Sequence, residues 1–254
     1  MIPTMERSSI KVALPCIVTL TSMVLGLISI VLSSRGYFEW AAWLIMYSAI
    51  LDKADGSLAR LLKAGSEFGM QMDSLSDFAA FGIAPGALTW FVIQSTDPST
   101  TISVWAGFAA VSFPVAAALR LARFNVIDSE DTEFFRGVAT TFAAGLYAAL
   151  YLTFIDLGLA EGALKPTFDL GVKINLALVL PSVALALAAL MLSDVRIPKL
   201  RFPKNKGKLV VSLVLMLVLL VLAVLRAFPQ AHLLSGVGYL VIGAMIGAKS
   251  KSTN

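Results

Sequence analysis

Asp52-Lys53-Ala54-Asp55-Gly56-Ser57-Leu58-Ala59-Arg60, followed eight residues later by Gly69-Met70-Gln71-Met72-Asp73-Ser74-Leu75-Ser76-Asp77, sets four carboxylates inside two apolar segments. Residues 41–51 before it and 78–93 after it carry no charge. The spacings are i, i+3 for Asp52 and Asp55 and i, i+4 for Asp73 and Asp77, so each pair falls on one face of a helix. A short turn near 62–66 lets the two helices run antiparallel with the pairs opposed. A carboxylate at the centre of a membrane helix costs roughly 2.5–3.5 kcal/mol, so four together require compensating charge. Lys53 and Arg60 offer two positive charges. Two divalent cations would offer four, and carboxylate oxygens suit hard cations such as Mg²⁺ or Mn²⁺. A metal pair of that kind serves displacement at phosphorus. A structural ion-pair cluster or a cation relay is the other reading. Gly56, Ala59 and Gly69 are small residues beside the acids and leave a slot that a ligand can enter closely.

Composition agrees with a membrane setting. The chain has 254 residues, 58% hydrophobic and 14% charged, with a mean hydropathy of +0.84. Soluble domains are about half apolar and a quarter charged. One cysteine, Cys16, excludes an internal disulfide framework. Apolar runs between polar breaks predict eight helices, at 15–33, 38–62, 67–92, 102–122, 137–157, 173–193, 209–226 and 231–248. A span needs about 20 residues. The first run is longer than a signal-peptide core and is read as a span. The sequence thus predicts an all-α integral membrane protein, a single membrane domain over 1–254 with about eight transmembrane helices.

Lys and Arg set the orientation. The loop between the sixth and seventh runs holds Arg196, Lys199, Arg201, Lys204, Lys206 and Lys208 against Asp194. It is therefore assigned to the cytoplasm, and both termini and the loops near 63–66 and 123–136 follow it. That cluster reads as topology plus attraction to anionic membrane lipid, with no nucleic-acid role. Gly243-x-x-x-Gly247 in the last run permits close helix packing.

The fixed positions Asp52, Asp55, Gly56, Ala59, Arg60, Gly69, Asp73 and Asp77 resemble the signature of the CDP-alcohol phosphotransferase family. Within it, the stretches Ser66-Glu67-Phe68-Gly69, Phe81-Gly82-Ile83-Ala84-Pro85 and Leu119-Arg120-Leu121-Ala122-Arg123-Phe124-Asn125 are similar to the phosphatidylserine synthases. The resemblance covers residues 14–150, the expected catalytic core; helices over 173–248 rest on hydropathy alone. Pro15-Cys16 and Gly137-Val138-Ala139 depart from that subfamily's usual Pro-Asn and Gly-Leu-Pro.

The resemblance implies a homodimeric enzyme of the cytoplasmic membrane, with its active site facing the cytoplasm. It would move the phosphatidyl group of CDP-diacylglycerol to L-serine and release CMP. Asp52, Asp55, Asp73 and Asp77 would hold two divalent cations, and Asp77 would also be the catalytic base. Thr19, Gly56, Ala59, Arg60 and Gly69 would border the CDP donor. Arg120 and Arg123, three apart, offer guanidinium forks for the serine carboxylate, with Asn125 as a further polar contact. Glycerol 3-phosphate, inositol, its phosphate and choline remain alternative acceptors. A cation transporter would more naturally show an internal repeat or broken helices, and the sequence has neither.

Overall fold

The computed structural model describes residues 9–62, 66–96, 99–128, 134–159, 174–198 and 206–251, with the side chains of 9–14, 54–62, 128, 206, 208–209 and 250–251 outside that description. Among the described residues the chain forms eight helical rods and one short ribbon. Helix α1 (Ser9–Ser34) packs antiparallel on α2 (Phe38–Leu62). The third rod is α3 (Glu67–Asp77), a π-helical turn (Phe78–Ile83) and α4 (Ala84–Thr96) in unbroken succession. The fourth is α5 (Thr100–Arg123), which ends in a second π turn (Phe124–Asp128). Then come α6 (Thr140–Asp156), α7 (Leu176–Leu192), α8 (Lys206–Val224) and α9 (Pro229–Lys251). Four segments are long and apolar enough to cross a membrane: Pro15–Ser34, Glu67–Thr96, Thr100–Ile127 and Pro229–Lys249. Leu176–Leu192 and Val210–Val224 are shorter apolar helices.

Helix α1 is held by a stripe of small and hydroxyl residues. Thr19, Ser22, Gly26, Ser29 and Ser33 recur every three or four residues and are all buried. The Ser22 hydroxyl donates to the Ser48 carbonyl at 3.1 Å, and the Ser48 hydroxyl donates to the Ser22 carbonyl at 2.9 Å. Ser29 donates to the Ala41 carbonyl at 2.8 Å. Between them, a Cβ on Gly26 would lie 2.5 Å from the Ala80 Cα, so only glycine lets α1 cross the π turn this closely. Small residues and interhelical hydroxyl bonds are the means by which helices associate where lipid gives no hydrophobic drive.

The π turn has a local cause. Pro85 lacks an amide hydrogen, and its ring would crowd the carbonyl four residues back in a regular helix. Widening the preceding turn relieves the crowding, and the Ala84 amide accordingly donates to the Ala79 carbonyl, five residues back. Beyond it, α4 and α5 touch at Gly86, where a Cβ would sit 2.4 Å from the Ala110 carbonyl oxygen. Trp43, Phe81, Phe113 and Tyr147 fill the core between α2, α4, α5 and α6. The buried Tyr147 hydroxyl pairs with Thr89 at 2.5 Å. Helix α8 lies at the rim, with Val211, Val214, Leu217 and Val221 exposed.

The ribbon was not foreseen. Strands β1 (Phe134–Arg136) and β2 (Arg196–Pro198) pair antiparallel, with Phe135 opposite Ile197. They come from two segments read as plain loops. Gly137, at φ +72°, turns the chain from β1 into α6; a Cβ there would lie 2.3 Å from the Met191 carbonyl oxygen. The ribbon also engages the Gly243–Gly247 pair. A Cβ on Gly247 would fall 1.8 Å from the Arg196 carbonyl oxygen, and one on Gly243 would meet Ile197 at 3.2 Å. The small face of α9 is thus used within the chain.

Candidate active site

Ser66 starts the helix that carries two of the acids. Its side-chain oxygen accepts from the Gly69 amide at 3.0 Å, an N-cap that satisfies one of the open donors of α3. From that cap, Asp73 and Asp77 follow on one face. Helix α2 returns alongside and presents Asp52. One oxygen each from Asp52, Asp73 and Asp77 lie within 4.8 Å of one another. Asp77 is 9% exposed, the Asp52 side chain is 12% exposed, and Asp73 opens to solvent. The group therefore grades from a buried acid to an open one.

Three ionised carboxylates at that separation repel by about 3 kcal/mol per pair at an effective dielectric of about 20. Lys53 offsets part of this, with its Nζ 3.4 Å from Asp52 Oδ2, but its own side chain is 68% exposed and solvent screens it. An all-oxygen donor set with excess negative charge on two rigid helices fits hard divalent cations. The side chains of Asp55, Gly56, Ala59 and Arg60 lie outside the described residues, although the α2 backbone runs through all four. At Gly69 a Cβ would press on Ser66 Oγ at 3.1 Å, the oxygen that caps the helix, and would meet no other atom within 4 Å.

Support for the acids comes from α1. Thr19 is buried; its hydroxyl donates to the Pro15 carbonyl at 3.1 Å, and its carbonyl accepts from the Ser76 hydroxyl at 2.9 Å. Ser76 directly precedes Asp77, so this bond fixes α3 against α1 at the deepest acid. Sequence reasoning passed over Ser76. The signal was present in the periodic hydroxyls of α1, which need a polar neighbour if they are to be buried.

The three residues expected to face the acceptor go in different directions. Arg123 clamps the end of α7: Nη1 donates to the Leu192 carbonyl at 3.2 Å and Nη2 to the Arg136 carbonyl at 2.8 Å, with Asp194 at 3.8 Å. A cation on the last carbonyls of a helix also meets the negative end of its dipole. Arg120 is buried, donates from Nη1 to Thr140 Oγ1 at 3.0 Å, and lies 5.9 Å from the Phe124 ring centroid. Asn125, in the second π turn, reaches back to α3 and donates to Ser74 Oγ at 2.8 Å. Ser74 adjoins Asp73, so the end of α5 borders the acid cluster.

An acid cluster at the end of an antiparallel helix pair, with a polar rim from α5, suits chemistry on a phosphate ester at a membrane surface. Comparison with known proteins agrees. A model of the CDP-alcohol phosphatidyltransferase family matches residues 12–246. The chain belongs to that family. As a member it is a membrane transferase of phospholipid biosynthesis, and the family match extends beyond residue 150 into α9. Among its relatives, the CDP-diacylglycerol–serine O-phosphatidyltransferase of Helicobacter pylori (strain J99) is 34% identical over 230 residues, 90% of this chain and 88% of the relative. The protein of the same name from Methanocaldococcus jannaschii is 30% identical over 182 residues, 72% of each chain. That from Bacillus subtilis (strain 168) is 31% identical over 149 residues, 59% of this chain and 81% of the relative.

Proposed function

We propose that this phosphatidyltransferase joins the phosphatidyl group of CDP-diacylglycerol to the hydroxyl of L-serine, giving phosphatidylserine and CMP. The observation that carries the reading is the convergence of Asp52, Asp73 and Asp77 within 4.8 Å. The relatives' names supply the serine.

Asp52, Asp55, Asp73 and Asp77 would hold two divalent cations, Mg²⁺ or Mn²⁺, which when bound supply positive charge against the pyrophosphate oxygens. Asp77, the most buried of the described acids, takes the proton from the serine hydroxyl. The freed oxygen bonds to the phosphatidyl phosphorus while the bond from that phosphorus to the CMP oxygen breaks, and CMP leaves with the electron pair. Thr19, Gly56, Ala59 and Gly69 border the nucleotide, and Arg60 pairs with a phosphate. Arg120, held by Thr140 beside the α6 N-terminus, is the cation offered to the serine carboxylate, while Arg123, engaged on the end of α7, acts by holding the end of α5 in place.

The chain is read as a single domain with about eight spans and a catalytic core at 14–150. Both termini and the active site face the cytoplasm of the cell membrane. The β1–β2 pairing supports a common side for residues 134–136 and 196–198, which the Lys and Arg distribution assigns to the cytoplasm. A homodimer follows from the family resemblance. The test is product analysis with CDP-diacylglycerol and, in turn, serine, glycerol 3-phosphate, inositol, inositol phosphate and choline. Phosphatidylserine as the main product is expected; a different lipid product would keep the reaction class and replace the acceptor.

A further inference from the structure

Two hydrogen bonds on Ser74 determine which way an amide faces at the edge of the acid cluster. The Ser74 hydroxyl has one hydrogen, and it donates to the Met70 carbonyl at 3.1 Å, the usual bond of a serine within a helix. Toward Asn125, 2.8 Å away, Ser74 can then only accept. Asn125 must therefore present its NH₂ group to Ser74. Nitrogen and oxygen of an amide are told apart by such networks, and here the network leaves Oδ1, a full acceptor, with no partner among the described residues.

We infer that Asn125 selects the acceptor by its ammonium group, through an amide carbonyl that Ser74 holds in place. This rests on the serine reading above and adds the specificity determinant. The amide oxygen decides what can bind. It only accepts, so beside Ser74 it suits a hydrogen-bond donor such as an ammonium. A carboxylate is disfavoured there and belongs on the arginine side of α5. Serine carries both groups on the carbon next to its hydroxymethyl, so a hydroxyl at Asp77 brings the ammonium to the rim. Glycerol 3-phosphate and inositol have no ammonium, and choline's nitrogen has no hydrogen to donate.

The experiment compares kcat/KM for L-serine, 3-hydroxypropanoate (no ammonium) and ethanolamine (no carboxylate) in the full-length protein with CDP-diacylglycerol. Wild-type protein is expected to favour serine over 3-hydroxypropanoate by at least about tenfold, the scale of a hydrogen bond to a charged group. In Asn125→Leu that ratio should collapse toward unity while the serine-to-ethanolamine ratio persists. Asn125→Asp, which keeps an oxygen acceptor and guards against a folding defect in the leucine variant, should retain the ratio. Ser74→Ala should raise the serine KM several-fold with little change in kcat. An Asn125→Leu protein that is slower with all three acceptors at unchanged ratios would show a structural tether and overturn the inference. Collapse of the ethanolamine ratio instead would reassign Asn125 to the carboxylate and overturn it too. Wild-type protein that releases no CMP with serine refutes the acceptor reading itself, and the inference with it, before any variant is made.

Discussion

Helices α1 and α8 are both apolar, yet they are built on opposite terms. Helix α1 turns a stripe of Thr19, Ser22, Gly26, Ser29 and Ser33 inward and bonds to α2 and α3 through hydroxyls. Helix α8 has no such stripe. Its Val, Leu and Met side chains are exposed nearly all round, and the Tyr47 hydroxyl bonded to the Ala223 carbonyl at 3.1 Å is one of its few attachments. The difference follows what each helix supports. Repelling carboxylates must be held in register, and in lipid that takes close backbone approach and directional bonds. Helix α8, with little of its surface against the rest of the chain, holds no such group in place.

That contrast can be broken at several points. The largest effect is expected from chelation: EDTA should abolish CMP release, and added Mg²⁺ or Mn²⁺ should restore it, while α8 and the rest of the fold keep their melting temperature within a few degrees. Asp77→Asn comes next, with turnover lower by about 10²–10⁴-fold, the usual contribution of a general base, at nearly unchanged stability. On the packing side, Gly26→Leu must displace the Ala80 backbone, and a loss of about 1–3 kcal/mol in stability is expected. Gly238→Ala is its control, since a Cβ there meets nothing within 4 Å; melting in detergent should not fall. Ser22→Ala and Ser48→Ala should each cost about 0.6 kcal/mol, the mean for hydrogen bonds between membrane helices. Leu217→Ala on α8 should be close to silent in both melting and turnover.

The eight rods were legible because run length and hydropathy are one-dimensional quantities, and each observed rod overlaps a predicted run. The convergence of Asp52, Asp73 and Asp77 was legible for a similar reason: i, i+4 spacing fixes a face, and a short turn opposes the two helices, without knowledge of the fold. What the sequence hid depends on partners distant in the chain. Strands of three residues in basic connections carry no period, so the β1–β2 ribbon had no signature. Arg123 reads as a helix-end cation whether it faces a substrate or the carbonyls of Leu192 and Arg136, which lie 69 and 13 residues away. The π turn could have been suspected from Pro85 in the middle of an apolar run. The α1 stripe was readable too, since hydroxyls at helical spacing inside a span need somewhere to donate.

The carboxylates gathered by α2 and α3 are expected to carry out phosphatidyl transfer. The most direct measurement is CMP release from CDP-diacylglycerol by the purified protein with L-serine and Mg²⁺ or Mn²⁺, beside an Asp77→Asn protein shown to be folded. Release that needs both serine and metal, and that falls by at least about a hundredfold in the variant, is the expected result. Undiminished release by Asp77→Asn, or none from folded wild-type protein with any alcohol, would contradict it.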